Sequence, residues 1–221
     1  MFALVSVAIA PAFALLSFFY LKDEYELEPI LAIFRTFIYG ALLVFPIMFI
    51  QYAFIEEGMI QHSFLQSYFL YGLFEEFFKW FIFLVTTYSY SRFNTVYDGI
   101  VYGVSISLGF ATVENVLYLF AHGIEFAFSR AIFPVSSHAL FGVIMGYYVG
   151  RAKFTNKRKY PLLLIALLLP TFLHGTYDFI LETIQSQWLY AIIPFMVMLW
   201  LLSLKKVKVA NEFSKHQLKK V

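Results

Sequence analysis

Seven apolar runs, each long enough to cross a bilayer and each closed by a short polar break, constrain this chain more than any other feature. They fall at roughly 1–21, 30–54, 64–86, 98–121, 129–150, 161–182 and 187–204. A spanning helix needs about 20 predominantly apolar residues. The breaks read KDEYELEP, EEGMIQH, SYSRFNTVYD, HGIEF, RAKFTNKRKY and TIQSQ, and a basic segment follows from Lys205. The expected fold is all-α, a polytopic transmembrane helix bundle of about seven spans in the cell membrane. Composition agrees: 14% of residues are charged, against about 25% in a soluble domain. Net charge is only +2, which gives no reason to expect a nucleic-acid partner. There is no cysteine, so a disulfide, an iron–sulfur cluster or a thiolate metal site is excluded.

Basic residues set the expected orientation. Lys22 and Arg35 flank the first loop, and Arg92 lies in the third. Arg151, Lys153, Lys157, Arg158 and Lys159 fill the fifth. Lys205, Lys206, Lys208, Lys215, Lys219 and Lys220 follow the last run. The second, fourth and sixth loops hold almost none, Arg130 beside the fourth being the exception. This segregation predicts an N-terminus outside and a C-terminus in the cytoplasm. Residues 1–204 are expected to form the transmembrane domain and 205–221 a basic cytoplasmic tail. The tail reads as a topology signal, with electrostatic contact to anionic lipid as the alternative. The first run lacks a basic leader and continues past Ala-Phe-Ala at 12–14, so it reads as an uncleaved helix.

Against this apolar background several ionisable residues stand out. Glu75, Glu76 and Lys79 fall in the third run, Glu114 in the fourth, His138 in the fifth, and His174 and Asp178 in the sixth. A charged side chain at the centre of an inserting helix costs about 2.5–3.5 kcal/mol. Packing alone is achieved more cheaply with Gly, Ser or Thr. Counting residues from the span ends at about 1.5 Å each puts the whole set between the midplane and the outer leaflet. Lys79 is three and four residues from the two glutamates, and His174 is four from Asp178, so each group shares a helical face. Adjacent carboxylates in low dielectric do not both ionise easily, while a neighbouring ammonium pulls the other way. One carboxylate and one carboxylic acid suit general acid–base work on a peptide carbonyl, with a histidine and a second donor holding the oxyanion. A cavity open to the outer side is implied, because water has to enter. Structural readings compete: an ion-pair lock for Glu75, Glu76 and Lys79, a hydrogen-bonded clamp for Glu114 with Asn115, and a backbone or Ser137 bond for His138. Asp98 and Glu182, at span ends, are expected to reach water.

The set EEFFKW, FATVE, SSHALFG and HGTYD, in this order, resembles the PrsW family of intramembrane proteases, over nearly the whole chain. That family is related to the CAAX-processing proteases, which carry EExxxR, Phe-x-x-x-His and later histidine and asparagine motifs. This sequence departs from the wider pattern. Lys79 comes one place before their arginine, Glu114 takes the place of their first histidine, and Asp178 replaces their asparagine. The resemblance implies a glutamate-dependent peptidase making the first, extracytoplasmic cut in a single-span anti-sigma factor. A downstream site-2 intramembrane protease would then act on the product, releasing the sigma factor in an envelope-stress response. Glu75 or Glu76 would be the base, with Lys79 tuning the pair. His138, His174 and Asp178 would orient the carbonyl or stabilise the oxyanion, and Glu114 would bind water or pair with the histidines. No cofactor is expected. The alternatives are a zinc-dependent protease using His138, His174, Glu114 and Asp178, and a proton-coupled transporter.

Overall fold

The computed structural model describes residues 2–155, 157–184 and 186–218. The expected tail residues Lys219 and Lys220 lie outside them. The described residues form seven helical rods in sequence order. They are α1 (Phe2–Leu21), α2 (Ile30–Glu56), α3 (63–86), α4 (Val96–His122), α5 (Ile124–Lys153), α6 (Lys159–Thr183) and α7 (Leu189–Leu218). All but α3 are long and apolar enough to cross a membrane, so six spans meet that criterion where the sequence suggested about seven. The difference is α3, which has the length of a span but carries Glu75, Glu76 and Lys79 in its second half. The protein is an all-α, multi-pass membrane bundle.

The hub is α4. From Val96 to Thr112 every residue is buried, because the rod is wrapped by neighbours and not by lipid. Its contact with α5 explains how closely two rods come together. A side chain at Gly99 would strike the backbone of Gly146, and one at Gly103 the backbone of Gly142. Small residues four apart let membrane helices approach where apolar surface gives no drive to associate. The α2–α4 contact works in the same way, with Gly109 against the Phe37 carbonyl. These contacts hold Glu114 on α4 beside His138 on α5.

Two rods are not regular helices. In α3 the stretch Gln66–Leu73 is π-helical, and the α-helix Phe74–Thr86 follows. In α5 the stretch Ala131–Val135 is π-helical, contains Pro134, and leads into Ser136–Lys153. Such single-turn departures often stand at functional sites. Here each immediately precedes residues of the expected site.

At the other end of the bundle α7 continues without a break past Leu204 to Leu218. Residues 205–218 are therefore helix, docked on the bundle. The Asn211 side chain donates to the Lys22 carbonyl at 2.9 Å and accepts from the Glu24 N–H at 3.3 Å. Ser214 and Gln217 accept from the N–H groups of Tyr97 and Val96, at 3.3 and 3.1 Å. First-turn N–H groups have no partner inside their own helix, and α7 supplies it for α4. Asp98 does not reach water as expected. It is buried, and with Thr95 it forms a capping box over the same helix start. Glu182, by contrast, is exposed and accepts a hydrogen bond from Ser67.

Candidate active site

The ionisable residues singled out in the sequence converge on one cluster held by α3, α4, α5 and α6. Lys79 is fully buried at its centre. Its Nζ lies 2.9 Å from Glu76 Oε1, 3.4 Å from Glu75 Oε2 and 3.1 Å from His138 Nδ1. It also sits 4.2 Å from the centre of the Phe110 ring, a cation–π contact. An ammonium only donates, so Nδ1 of His138 accepts, and the Nε2–H is left to donate to Glu114 Oε2 at 3.0 Å. Ser137 is not the partner of His138; its hydroxyl donates to the Pro134 carbonyl.

His174 completes the ring of contacts. Its Nδ1 lies 3.0 Å from Glu76 Oε1, which fixes the proton on Nδ1, and its Nε2 lies 3.2 Å from Asp178 Oδ2 and 3.9 Å from Glu75 Oε2. With Nδ1 carrying the proton, Nε2 of a neutral ring is a lone pair. The Asp178 oxygen near it then has no hydrogen bond among the described residues, and neither does Glu76 Oε2. Buried carboxylate oxygens without partners are uncommon and ask for an explanation. The two imidazoles stand edge to face, 5.0 Å between centres, and Phe141 stacks on His174.

A cavity of about 310 Å³ opens onto this cluster. Glu75, Glu114, His138, His174 and Asp178 all line it; Glu76 and Lys79 stand behind. The side chain of Glu76 is wholly buried, while that of Glu75 keeps a tenth of its surface exposed. Among the adjacent glutamates, then, one faces the cavity and its neighbour is locked between Lys79 and His174. Close approach of α3 to α6 makes this possible: Gly72 lies against the Thr171 carbonyl, and Gly175 against Tyr68.

Two members of the site had no role in the sequence analysis. Gln51, on α2, donates to Glu75 Oε1 at 3.2 Å. Arg130, noted there only as a stray base, donates to Glu114 Oε1 and to Asn115 Oδ1, each at 2.8 Å, and stacks on Tyr118. Asn115 in turn donates to the Ala8 carbonyl. The suggested Glu114–Asn115 clamp thus exists, with Arg130 closing it. The signal for Gln51 was its isolation, since it is the one amide in the apolar α2 segment.

Carboxylates, imidazoles and an ammonium around a cavity inside a polytopic membrane bundle are the groups a membrane-embedded peptidase requires. The family model described as PrsW family intramembrane metalloprotease matches residues 28–203, and the chain belongs to that family. It is 52% identical over 218 residues to Protease PrsW of Bacillus subtilis (strain 168), covering 98% of this chain and all of the relative. Protease PrsW of Halalkalibacterium halodurans is 51% identical over 215 residues, covering 97% of this chain and all of that protein. Protease PrsW of Oceanobacillus iheyensis is 55% identical over 212 residues, 96% of this chain and 98% of that protein. No solved structure matches the chain.

The family description implies a metal, and the donor set fits one. Ligand atoms of Glu75, His138 and His174 lie within 4.8 Å of one another, and the unpartnered Asp178 oxygen adjoins them. His174 has its Nδ1 backed by Glu76, the carboxylate–histidine arrangement that orients a metal-binding ring. His138 is the less ready ligand, because both its nitrogens are engaged and one contact would have to be given up. Nitrogen and carboxylate oxygen are donors that zinc accepts.

Proposed function

We propose that this peptidase makes the first, extracytoplasmic cut in a single-span anti-sigma factor, and that a site-2 intramembrane protease then acts on the product to release a sigma factor under envelope stress. The observation that carries the chemistry is the asymmetry of the two glutamates at the cavity. Glu75, exposed to it, is the general base that takes a proton from the attacking water. Glu76, between Lys79 and His174, holds those two groups in place. His174, once protonated at Nε2 as well, presents an N–H beside Asp178 that orients the carbonyl and receives the developing negative charge, and His138 is kept in one tautomer by Lys79 and Glu114.

The side of the cut follows from charge. The cavity lies toward the ends of the rods that carry Glu56, His122 and Thr183, where loop bases are scarce. The opposite end carries Lys22, Arg92 and Lys157 to Lys159. The positive-inside rule makes the cavity end extracytoplasmic. A reporter inserted near Gly58 should then read outside and one after Leu218 inside; the same compartment for both would refute this orientation.

A second reading is favoured by the cluster of ligand atoms. Glu75, His138 and His174, with Asp178 beside them, would hold zinc. Such an ion would polarise the carbonyl and acidify its bound water. Glu76 would hold His174 in the same way in either reading, whereas His138 would give up its contact with Lys79 or with Glu114 to the metal. Treatment of purified protein with a chelator separates them: activity lost and restored by zinc supports the metal, and unaffected activity supports the metal-free base.

The test of the function itself is co-expression with a candidate single-span substrate. A shortened fragment in wild type and none with Glu75→Gln is the expected result. An identical fragment in both would remove the glutamate mechanism. Ion flux in proteoliposomes without cleavage would favour a transporter instead.

A further inference from the structure

The π-helical turn of α3 has a chemical consequence beside the site. In an α-helix the Phe74 N–H would bond to the Leu70 carbonyl. Here it goes to the Phe69 and Tyr71 carbonyls instead. Leu70 is fully buried, so its carbonyl cannot turn to bulk water for the missing donor. Gln51 reaches across from α2 and donates to it at 3.2 Å, and the same Nε2 donates to Glu75 Oε1 at 3.2 Å. An amide nitrogen has two hydrogens, and both are used. Both partners are acceptors, so the amide cannot be flipped without losing both bonds. The other Glu75 oxygen, Oε2, faces Lys79 at 3.4 Å and His174 at 3.9 Å.

We infer that Gln51 is a positioning residue for Glu75, bridging the carbonyl freed by the π-helical turn to one carboxylate oxygen and thereby fixing which way the carboxylate faces. This rests on the reading of Glu75 as the group that acts on water. The π-helical turn and Gln51 form one device. Without the turn the Leu70 carbonyl would keep its helical donor, and the amide would have one acceptor and freedom to rotate. With it, the amide is held at two points on α3, one of them rigid backbone. Gln51 is itself buried in a helix that otherwise offers lipid or packing surface, so its bonds are what keep an amide at that depth.

Gln51→Met keeps length and bulk and removes both donated bonds. Purified wild type, Gln51→Met, Gln51→Asn and Glu75→Gln would be compared on one single-span substrate, with kcat and KM measured separately and thermal unfolding followed in the same detergent. Gln51→Met should lower kcat by about tenfold or more with KM within about twofold, because the reacting group and not substrate binding is disturbed. Gln51→Asn, too short to span both acceptors, should also lose kcat, and it decides the matter if the methionine variant does not fold. Wild-type kcat in either folded variant, or a loss carried by KM alone, overturns the inference. If Gln51→Met cuts normally while Glu75→Gln is inactive, only the positioning role falls. If Glu75→Gln also cuts normally, the reading beneath it falls too, and the positioning role with it.

Discussion

Carboxylates are buried at both ends of this bundle, but they are treated differently. At the basic end, Asp98 accepts the N–H groups of Asn94 and Thr95, each at 2.8 Å, and the Thr95 hydroxyl. Glu28 accepts the hydroxyl of Tyr102. Their donors are hydroxyls and backbone amides, and Asp98 caps helix α4. At the cavity end, Glu75 and Glu76 are matched with the Lys79 ammonium, Glu76 and Asp178 face the His174 imidazole, and Glu114 takes that of His138, while oxygens of Glu76 and Asp178 go without hydrogen bonds among the described residues. Hydroxyl and backbone amide partners, which keep their protons, make a fixed joint. Groups that change protonation, around a cavity, make a reaction centre. Burial of charge does not distinguish structure from function; the chemistry of the partners does.

The largest expected effect tests that contrast directly. Glu75→Gln and Glu76→Gln should each lower cleavage by about a hundredfold or more, with normal abundance by immunoblot. Glu28→Gln, which changes a buried carboxylate at the other end, should leave cleavage within about threefold. Equal losses from Glu28→Gln and Glu75→Gln, in proteins of equal abundance, would dissolve the distinction.

Next come His174 and Asp178. The structure brings His174 Nε2 and Asp178 Oδ2 to 3.2 Å, on the same face of α6. His174→Ala should remove most activity, and Asp178→Ala should resemble it. Asp178→Asn should be milder, since an amide still orients a ring or an oxyanion. The double alanine variant should be little worse than either single one. Substrate half-life in cells is the measurement, and multiplicative losses would show that the two act separately. Arg130→Met should have a smaller effect, about three- to tenfold. Glu114 would keep His138 but lose the guanidinium that holds its other oxygen. No change in turnover would make Arg130 a support for Asn115 alone.

The helices and most of the cluster were legible because a bilayer makes polarity loud. Against runs such as FIYGALLVFPIMFI, a glutamate pair is visible without any structure, and spacing of three and four places side chains on one face. What was not legible follows from tertiary packing. The π-helical turns at 66–73 and 131–135 shift the register by one residue; Pro134 marks the second as irregular, but no proline announces the first. Gln51 gains its meaning only when α2 lies against the turn in α3. Asp98 was misread for a different reason. A carboxylate at the end of an apolar run suggests water, yet Thr95-x-x-Asp98 has the spacing of a capping box, and that signal was present in TVYD. The stripes Gly99–Gly103 and Gly142–Gly146–Gly150 were equally present. They are the small-residue spacing that lets α4 and α5 meet.

The smallest expected effect concerns the basic end alone. Burial pushes the Glu28 carboxyl up from its ordinary 4.5 to about 8; the Tyr102 hydroxyl opposes this and the nearby Asp98 carboxylate adds to it. A carboxyl raised on folding binds its proton more tightly in the folded protein. Its contribution is therefore fully present below about 4.5 and lost as pH rises through about 8. Asp23, in the same loop, is raised to about 6 by burial, so its own loss is largely complete before neutrality. Between pH 7 and 9 the unfolding temperature in detergent should accordingly fall by about 2–3 °C more in wild type than in Glu28→Gln. The amide keeps an acceptor for Tyr102 and has no charge to gain. Cleavage by the two proteins should keep the same ratio across that range, because Glu28 is far in sequence and in the bundle from the cavity. Parallel unfolding curves in wild type and variant would mean that Glu28 is already ionised in the fold, and that the basic end holds a buried charge after all.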